Sequence, residues 1–276
     1  MEQQLRKIGA IFTFGFFGFF GFFGVFGSAT VSAVEFRGHE PLGFTVEFEQ
    51  CEESVGIYPV ALSDVDSMVP DDYIIASPDG ELAFAIFRAV ECDAILIESD
   101  NQQISNGTDE LVVISQVGIV IVPPQGTGDA NNYTVHYGTN SKKLARALRK
   151  GGVKAKHVAN LEFDYESYGD GTGEIYTENP RRRAQHIMSG PASDPAITDP
   201  GITFIANWWH IGRKGNVLME TTVDQIFMGD ASQVIVTTNN KTKIAKILGG
   251  TVSAAPVYGI RGVFSSATMD IRAEEL

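Results

Sequence analysis

The sequence predicts a β-rich α+β fold, a single domain of many, mostly antiparallel strands curled into a barrel-like closed sheet with two or three short helices. Three observations predict it. Apolar and polar residues alternate at period two through much of the chain, the pattern of strands with one buried face. Segments with the 3.6-residue period of an amphipathic helix are few and short. No long Ser-, Gly- or Pro-rich linker divides residues 34–276, the loosest stretch being Ser189–Gly201 with its three prolines.

The first element is an address. A polar segment with Arg6 and Lys7, an apolar run from Ile8 to Phe26 and the small residues Ser28, Ala29, Ser32 and Ala33 follow one another in the order of a secretory signal peptide. Each glycine in the run lowers helix propensity by about 1 kcal/mol relative to Ala, which argues against a retained anchor. Val31 and Ala33 occupy the positions of a cleavage site. Residues 1–33 are therefore expected to be removed, leaving 34–276 as a secreted or periplasmic domain.

Strands follow. Phe44–Glu49 puts Phe44, Val46 and Phe48 on one face, and Glu81–Phe87, Ala94–Ser99, Tyr133–Tyr137, Ala159–Tyr165, Asn216–Val223 and Ser232–Thr238 alternate likewise. Leu111–Val122 is apolar on both faces around Gln116, as a strand at the centre of a sheet is. Two helices share a plan. Thr139–Gly152 has Asn140 or Ser141 as N-cap, Leu144 and Leu148 on one face and a paired-glycine stop. Thr238–Gly250 repeats this with Ile244 and Leu248, and Leu62–Pro70 is a weaker third copy. Duplication of a β-α unit and convergent capping both account for the likeness.

The formal charge is -13, and loss of Glu2, Arg6 and Lys7 with the leader makes the mature chain -14. That balance disfavours nucleic acid and anionic membranes as partners, since both need a basic face. No second stretch is long and apolar enough to span a bilayer, so no membrane association is expected after cleavage. Cys51 and Cys92 form one disulfide in an oxidising compartment or are two separately buried thiols. Asn106, Asn132 and Asn240 begin glycosylation sequons, of consequence only in a eukaryotic host.

Neither a metal nor a cofactor is expected. His39, His136, His157, His186 and His210 are scattered without ligand spacing. Asp164–Glu174 fails as a calcium loop because Tyr168 stands at a ligand position and Ile175 where the closing glutamate belongs; a hairpin through Asp170-Gly171 fits it better. Pro123–Asn132 is glycine-rich but lacks the lysine and helix of a phosphate cradle, and reads as a loop whose Asp129 and paired asparagines offer ligand contacts. There is no Gly-x-Ser-x-Gly elbow. In Asn207–His210, Trp208 and His210 share one strand face and Trp209 takes the other, which makes either an aromatic wall of a ligand cavity or a core and a surface tryptophan. Ser141–His157 concentrates Lys142, Lys143, Arg146, Arg149, Lys150, Lys154 and Lys156, and Lys154 alone among the first six lies just past the glycine stop.

With those residues in hand, the chain resembles the acetoacetate decarboxylase-like superfamily over most of residues 44–272. The shared features are the Val-Pro-x-x-Tyr segment Val69–Tyr73 after a short helix, the long strands, the Gly-x-x-Lys turn Gly151–Lys154 and the stretch Phe227–Val236. The resemblance implies a closed β-sheet around an apolar cavity and a lysine, here Lys154, that forms a Schiff base with a β-keto acid, its amine kept neutral by burial or a neighbouring cation such as Arg149, Lys150 or Lys156. Gly152 and Val153 stand where the family carries an aromatic residue and a proline, and its carboxylates and arginine match no definite positions. The function expected is thus export and binding of a small apolar or carbonyl-bearing molecule against Trp208, His210, Phe84 and Phe87. A Schiff-base lyase using Lys154 is the alternative, and a structural or adhesive exoprotein a further one.

Overall fold

The computed structural model describes residues 42–196, 201–212 and 215–275; the expected signal peptide lies outside them. The described residues form thirteen strands, three short α-helices and a 3-10 turn, Asp66–Met68. The strands are β1 (Phe44–Ala61), β2 (Leu82–Glu98), β3 (Gly107–Val120), β4 (Ala130–Thr139), β5 (Lys156–His157), β6 (Glu162–Ser167) and β7 (Thr172–Asn179), then β8 (His186–Ser193), β9 (Ile202–Gly212), β10 (Gly215–Asp230), β11 (Ile235–Thr238), β12 (Ser253–Ala254) and β13 (Tyr258–Ala273). The helices are α1 (Leu62–Val65), α2 (Lys142–Lys150) and α3 (Lys243–Ile247).

Seven strands close a ring of hydrogen bonds in the order β3-β2-β1-β13-β10-β9-β4, with β4 returning to β3. All neighbours are antiparallel except β4 and β9, which run parallel. The sheet is barrel-like, as expected. A second sheet, β12-β11-β8-β7-β6, packs on the outside of the ring. Their shared core joins Tyr58, Phe87, Ile119 and Trp209 of the ring to Ile175, Met188 and Val236 of the second sheet and Ile244 of α3. Burial of such side chains contributes about 1.5–3 kcal/mol each.

Several expected strands are parts of longer ones. Phe44–Glu49 and the chain to Val60 form the single strand β1, because the polar break between them, Glu52-Glu53-Ser54, is itself paired: buried Glu53 accepts from Arg88 Nε at 2.6 Å, and Arg88 Nη1 donates to Gln116 Oε1 at 2.8 Å. Gln116, the polar residue in the apolar β3, is thus a partner for a cation inside the ring. Cys51 lies directly opposite Cys92 on adjacent β1 and β2, and the two are bonded, which resolves the alternative left by the sequence. The acidic segment is the β6–β7 hairpin, with positive φ at Gly169 and Gly171.

Both helices with the shared plan end in the same way. In α2, Val153 N–H reaches Leu148 O and Gly152 N–H reaches Arg149 O, with Gly152 at φ +98°. In α3, Gly250 bonds Ala245 and Gly249 bonds Lys246. These are Schellman caps. The chain then diverges: β5 returns parallel to β4, whereas β12 returns antiparallel to β11.

Candidate functional site

The ring wall has a split. Strand β4 pairs with β9 only through Tyr133 and with β5 only from Gly138, so residues 134–137 present one edge to neither. A β-bulge falls at this point: the register with β3 slips between Val117–His136 and Gly118–Thr134, leaving Val135 as the extra residue. A bulge re-aims the side chains beyond it. The simple alternation expected for Tyr133–Tyr137 is therefore broken, with Tyr133 in the core between the sheets and Tyr137 against the interior of the ring.

A cleft of about 430 Å³ opens at the split. Its walls come from β4, from the turn after α2, from β9, from the β7–β8 connection and from α3. Lys154, Lys156, Arg181, Arg183 and Lys243 line it and none lies within ion-pair distance of a carboxylate among the described residues. The cap of α2 delivers Lys154, since the chain leaves Val153 directly into the cleft, where Gly212 of β9 packs against Gly152 too closely for any side chain. Burial, then the charges of Lys154 and Lys246, push the Lys243 amine below the usual lysine range.

Two histidines, His136 and His210, line the cleft, and His186 lies near His136. His186 Nδ1 donates to Ala184 O at 2.7 Å, which leaves Nε2 to accept from Ser115 Oγ at 3.3 Å. Asn179 Nδ2 donates to that hydroxyl at 3.2 Å and to His136 Nε2 at 2.8 Å, its orientation fixed by Oδ1 accepting from Arg181 N at 3.1 Å. His136 is accordingly the Nδ1–H tautomer. Burial first, and then His186 and the cations Arg181, Lys243 and Lys156, hold His136 down to about 3, while burial takes His186 to about 4 against the opposing bond to Ala184 O. Burial, then Lys154 and Lys243, lower His210 to about 4 against the opposing bond to Thr134 O. His210 Nε2 and Thr134 Oγ1, both buried at the cleft, have no partner among the described residues.

Of the residues expected from the sequence, the structure brings Lys154 and His210 together at this cleft. Trp208, Phe84 and Phe87 do not line it. Phe87 is fully buried with its ring edge-on to Tyr58 and His186, Phe84 is buried, and Trp208 packs on Gly118 inside the ring. Neither tryptophan is at the surface. Inside the ring, the void beside Phe48, Arg88, Tyr137 and Phe264 is about 10 Å³. In the glycine-rich loop, Asp129 and Asn131 dock β9, accepting from Ile205 N and from Trp209 Nε1. Asn132, a sequon position, is buried.

Sequence reasoning missed Arg181, Arg183, Lys243, His136 and Asn179. One signal was there: Arg181-Arg182-Arg183 is a run of three cations in an acidic chain. No pattern announces Asn179 or the convergence of β4, β9 and α3.

No family model and no curated protein sequence matches the chain. Solved structures similar to it include one described as acetoacetate decarboxylase, 10% identical with a TM-score of 0.49 over 84% of this chain and 88% of that one. An acetoacetate decarboxylase-like enzyme from Sphingomonas wittichii RW1 is 10% identical, with a TM-score of 0.48 over 85% of this chain and 92% of that one. Acetoacetate decarboxylase from Legionella pneumophila is 11% identical, with a TM-score of 0.46 over 88% and 90%. These bear the name of the superfamily that the sequence resembles.

Proposed function

We propose that this is an exported small-molecule-binding protein whose cleft takes a small organic anion, a carboxylate first of all. One observation carries the reading: five cations without carboxylate partners among the described residues line one cleft in a chain of formal charge -13. Like charges repel, so such a cluster in an acidic protein is favourable chiefly when something negative sits among them. Of the two kinds of guest expected from the sequence, apolar or carbonyl-bearing, a carboxylate is of the second kind, and the cations of the cleft favour it. Export is supported by the Cys51–Cys92 bond, since disulfides persist in oxidising compartments.

Schiff-base lyase chemistry is the second reading. The observation that favours it is that the amines of Lys154 and Lys243 line the same cleft, where a carbonyl-bearing guest would meet both. Calorimetric titration of the full chain with pyruvate tests the first reading: saturable binding that weakens with salt and is lost in Lys154→Gln/Lys243→Gln supports it, and the absence of saturable binding refutes it. Borohydride added in the presence of acetoacetate separates the two, a covalent adduct on Lys154 favouring the lyase and reversible binding without adduct favouring the carrier.

A further inference from the structure

Backbone contacts fix where the cations of the cleft begin. Lys154 stands at the tip of a three-residue turn in which Ala155 N–H bonds Val153 O at 2.8 Å. Two residues on, Lys156 lies on β5, whose pairing with β4 sets it opposite Gly138. Arg181 N–H is held by Asn179 Oδ1 at 3.1 Å, and Lys243 N–H by Arg183 O at 2.9 Å, so α3 begins beside the β7–β8 connection. Five like charges thus start from fixed segments around one space, and all five residues are exposed to whatever enters it.

A single carboxylate cannot answer all of them. Its two oxygens suffice for one bidentate arginine or a pair of lysines, and the remaining cations are left facing one another. The charges are also spread along the cleft. Arg181, Lys243 and Lys156 oppose protonation of His136, whereas Lys154 and Lys243 oppose that of His210, so Lys243 is common to two groups of cations. Volume agrees with charge: at about 30 Å³ per water, a cleft of about 430 Å³ has room for on the order of fourteen waters, more than twice the non-hydrogen atoms of a three-carbon acid. We infer that the ligand is a di- or tricarboxylate, with one carboxylate beside Lys154 and another beside Arg181 and Lys156. This rests on the anion-binding reading above and narrows it to a class of guest.

Propionate, succinate and tricarballylate carry one, two and three carboxylates, and none has a ketone or aldehyde that could form a Schiff base. Titrated into the full chain near neutral pH and at low ionic strength, tricarballylate is expected to bind about tenfold more tightly than propionate, the order for two further exposed ion pairs. Its affinity should also fall more steeply as salt is raised. In Arg181→Gln/Lys156→Gln the advantage is expected to shrink to about threefold or less, because one end of the ligand loses its partners. The salt dependence is read on the unsubstituted protein and is independent of how that variant folds. Equal affinities along the series, a salt dependence no steeper for tricarballylate than for propionate, or an advantage kept in full by the variant overturns the inference, and pyruvate binding then leaves the anion reading standing. If neither pyruvate nor any of the three acids binds, both fall.

Discussion

Replacing Asn179 with alanine should destabilise the protein by about 3 kcal/mol. The side chain makes three hydrogen bonds, to Ser115 Oγ, to His136 Nε2 and from Arg181 N, and Asn179 is 1% exposed. A typical intramolecular hydrogen bond contributes about 1 kcal/mol net, and more where its loss strands a buried partner. Ser115 keeps its bond to His186, and Arg181 N–H sits on an exposed residue where water can replace the asparagine; His136 Nε2 carries the largest penalty. Urea unfolding followed by the fluorescence of Trp208 and Trp209, both buried, measures the change. Asn179→Asp is the control. It keeps the acceptor for Arg181 but removes the donor to His136, so at neutral pH it should also destabilise, and its deficit should shrink as pH falls because the new carboxylate favours a protonated His136. A loss below about 1 kcal/mol in the alanine variant, or an aspartate deficit that grows on acidification, would refute the network as described.

Three further outcomes follow from the same structure. His136, His186 and His210 titrate at about 3, 4 and 4 in the folded chain against 6.5 when free, so between pH 6.5 and 4 the unfolded chain binds more protons; stability is fully present above pH 6.5 and the urea midpoint should drop from pH 7 to pH 5, whereas a rise would contradict the assignment. Removing the disulfide in Cys51→Ala/Cys92→Ala frees a sequence separation of 41 residues and should cost about 4 kcal/mol by chain entropy, read as a shift in the urea midpoint that a change near zero would disprove. Arg261 is buried, bonds Glu52 and Asp194 at 2.9 and 3.2 Å and covers the Tyr165 ring at 3.6 Å, so Arg261→Lys should lose nearly as much stability as Arg261→Ala, roughly 2 kcal/mol, because lysine has no planar fork; full rescue by lysine would show that charge alone suffices.

Strand and helix content was legible because period-two alternation and helix caps are local signals. Ser141 does cap α2, accepting from Leu144 N, and Thr242 does the same for α3. The site was legible only where it coincided with a local feature: Lys154 follows a glycine stop, and His210 follows the two tryptophans. Lys243, Arg181 and His136 are far apart in the chain, and what unites them is the parting of β4 from β9 together with an extra residue at Val135, neither of which has a composition to read. The expected aromatic lining failed to meet the cleft for a related reason. Large apolar side chains such as Phe87 are drawn first into the core between the sheets, where burial stabilises them most.

Co-crystallisation with lactate tests the central claim most directly, because it asks where a small anion goes. The account predicts density for one molecule at the split in the ring, with its carboxylate within hydrogen-bond distance of Lys154 or Lys243. A bare cleft at saturating lactate, or a molecule bound elsewhere on the protein, would contradict it.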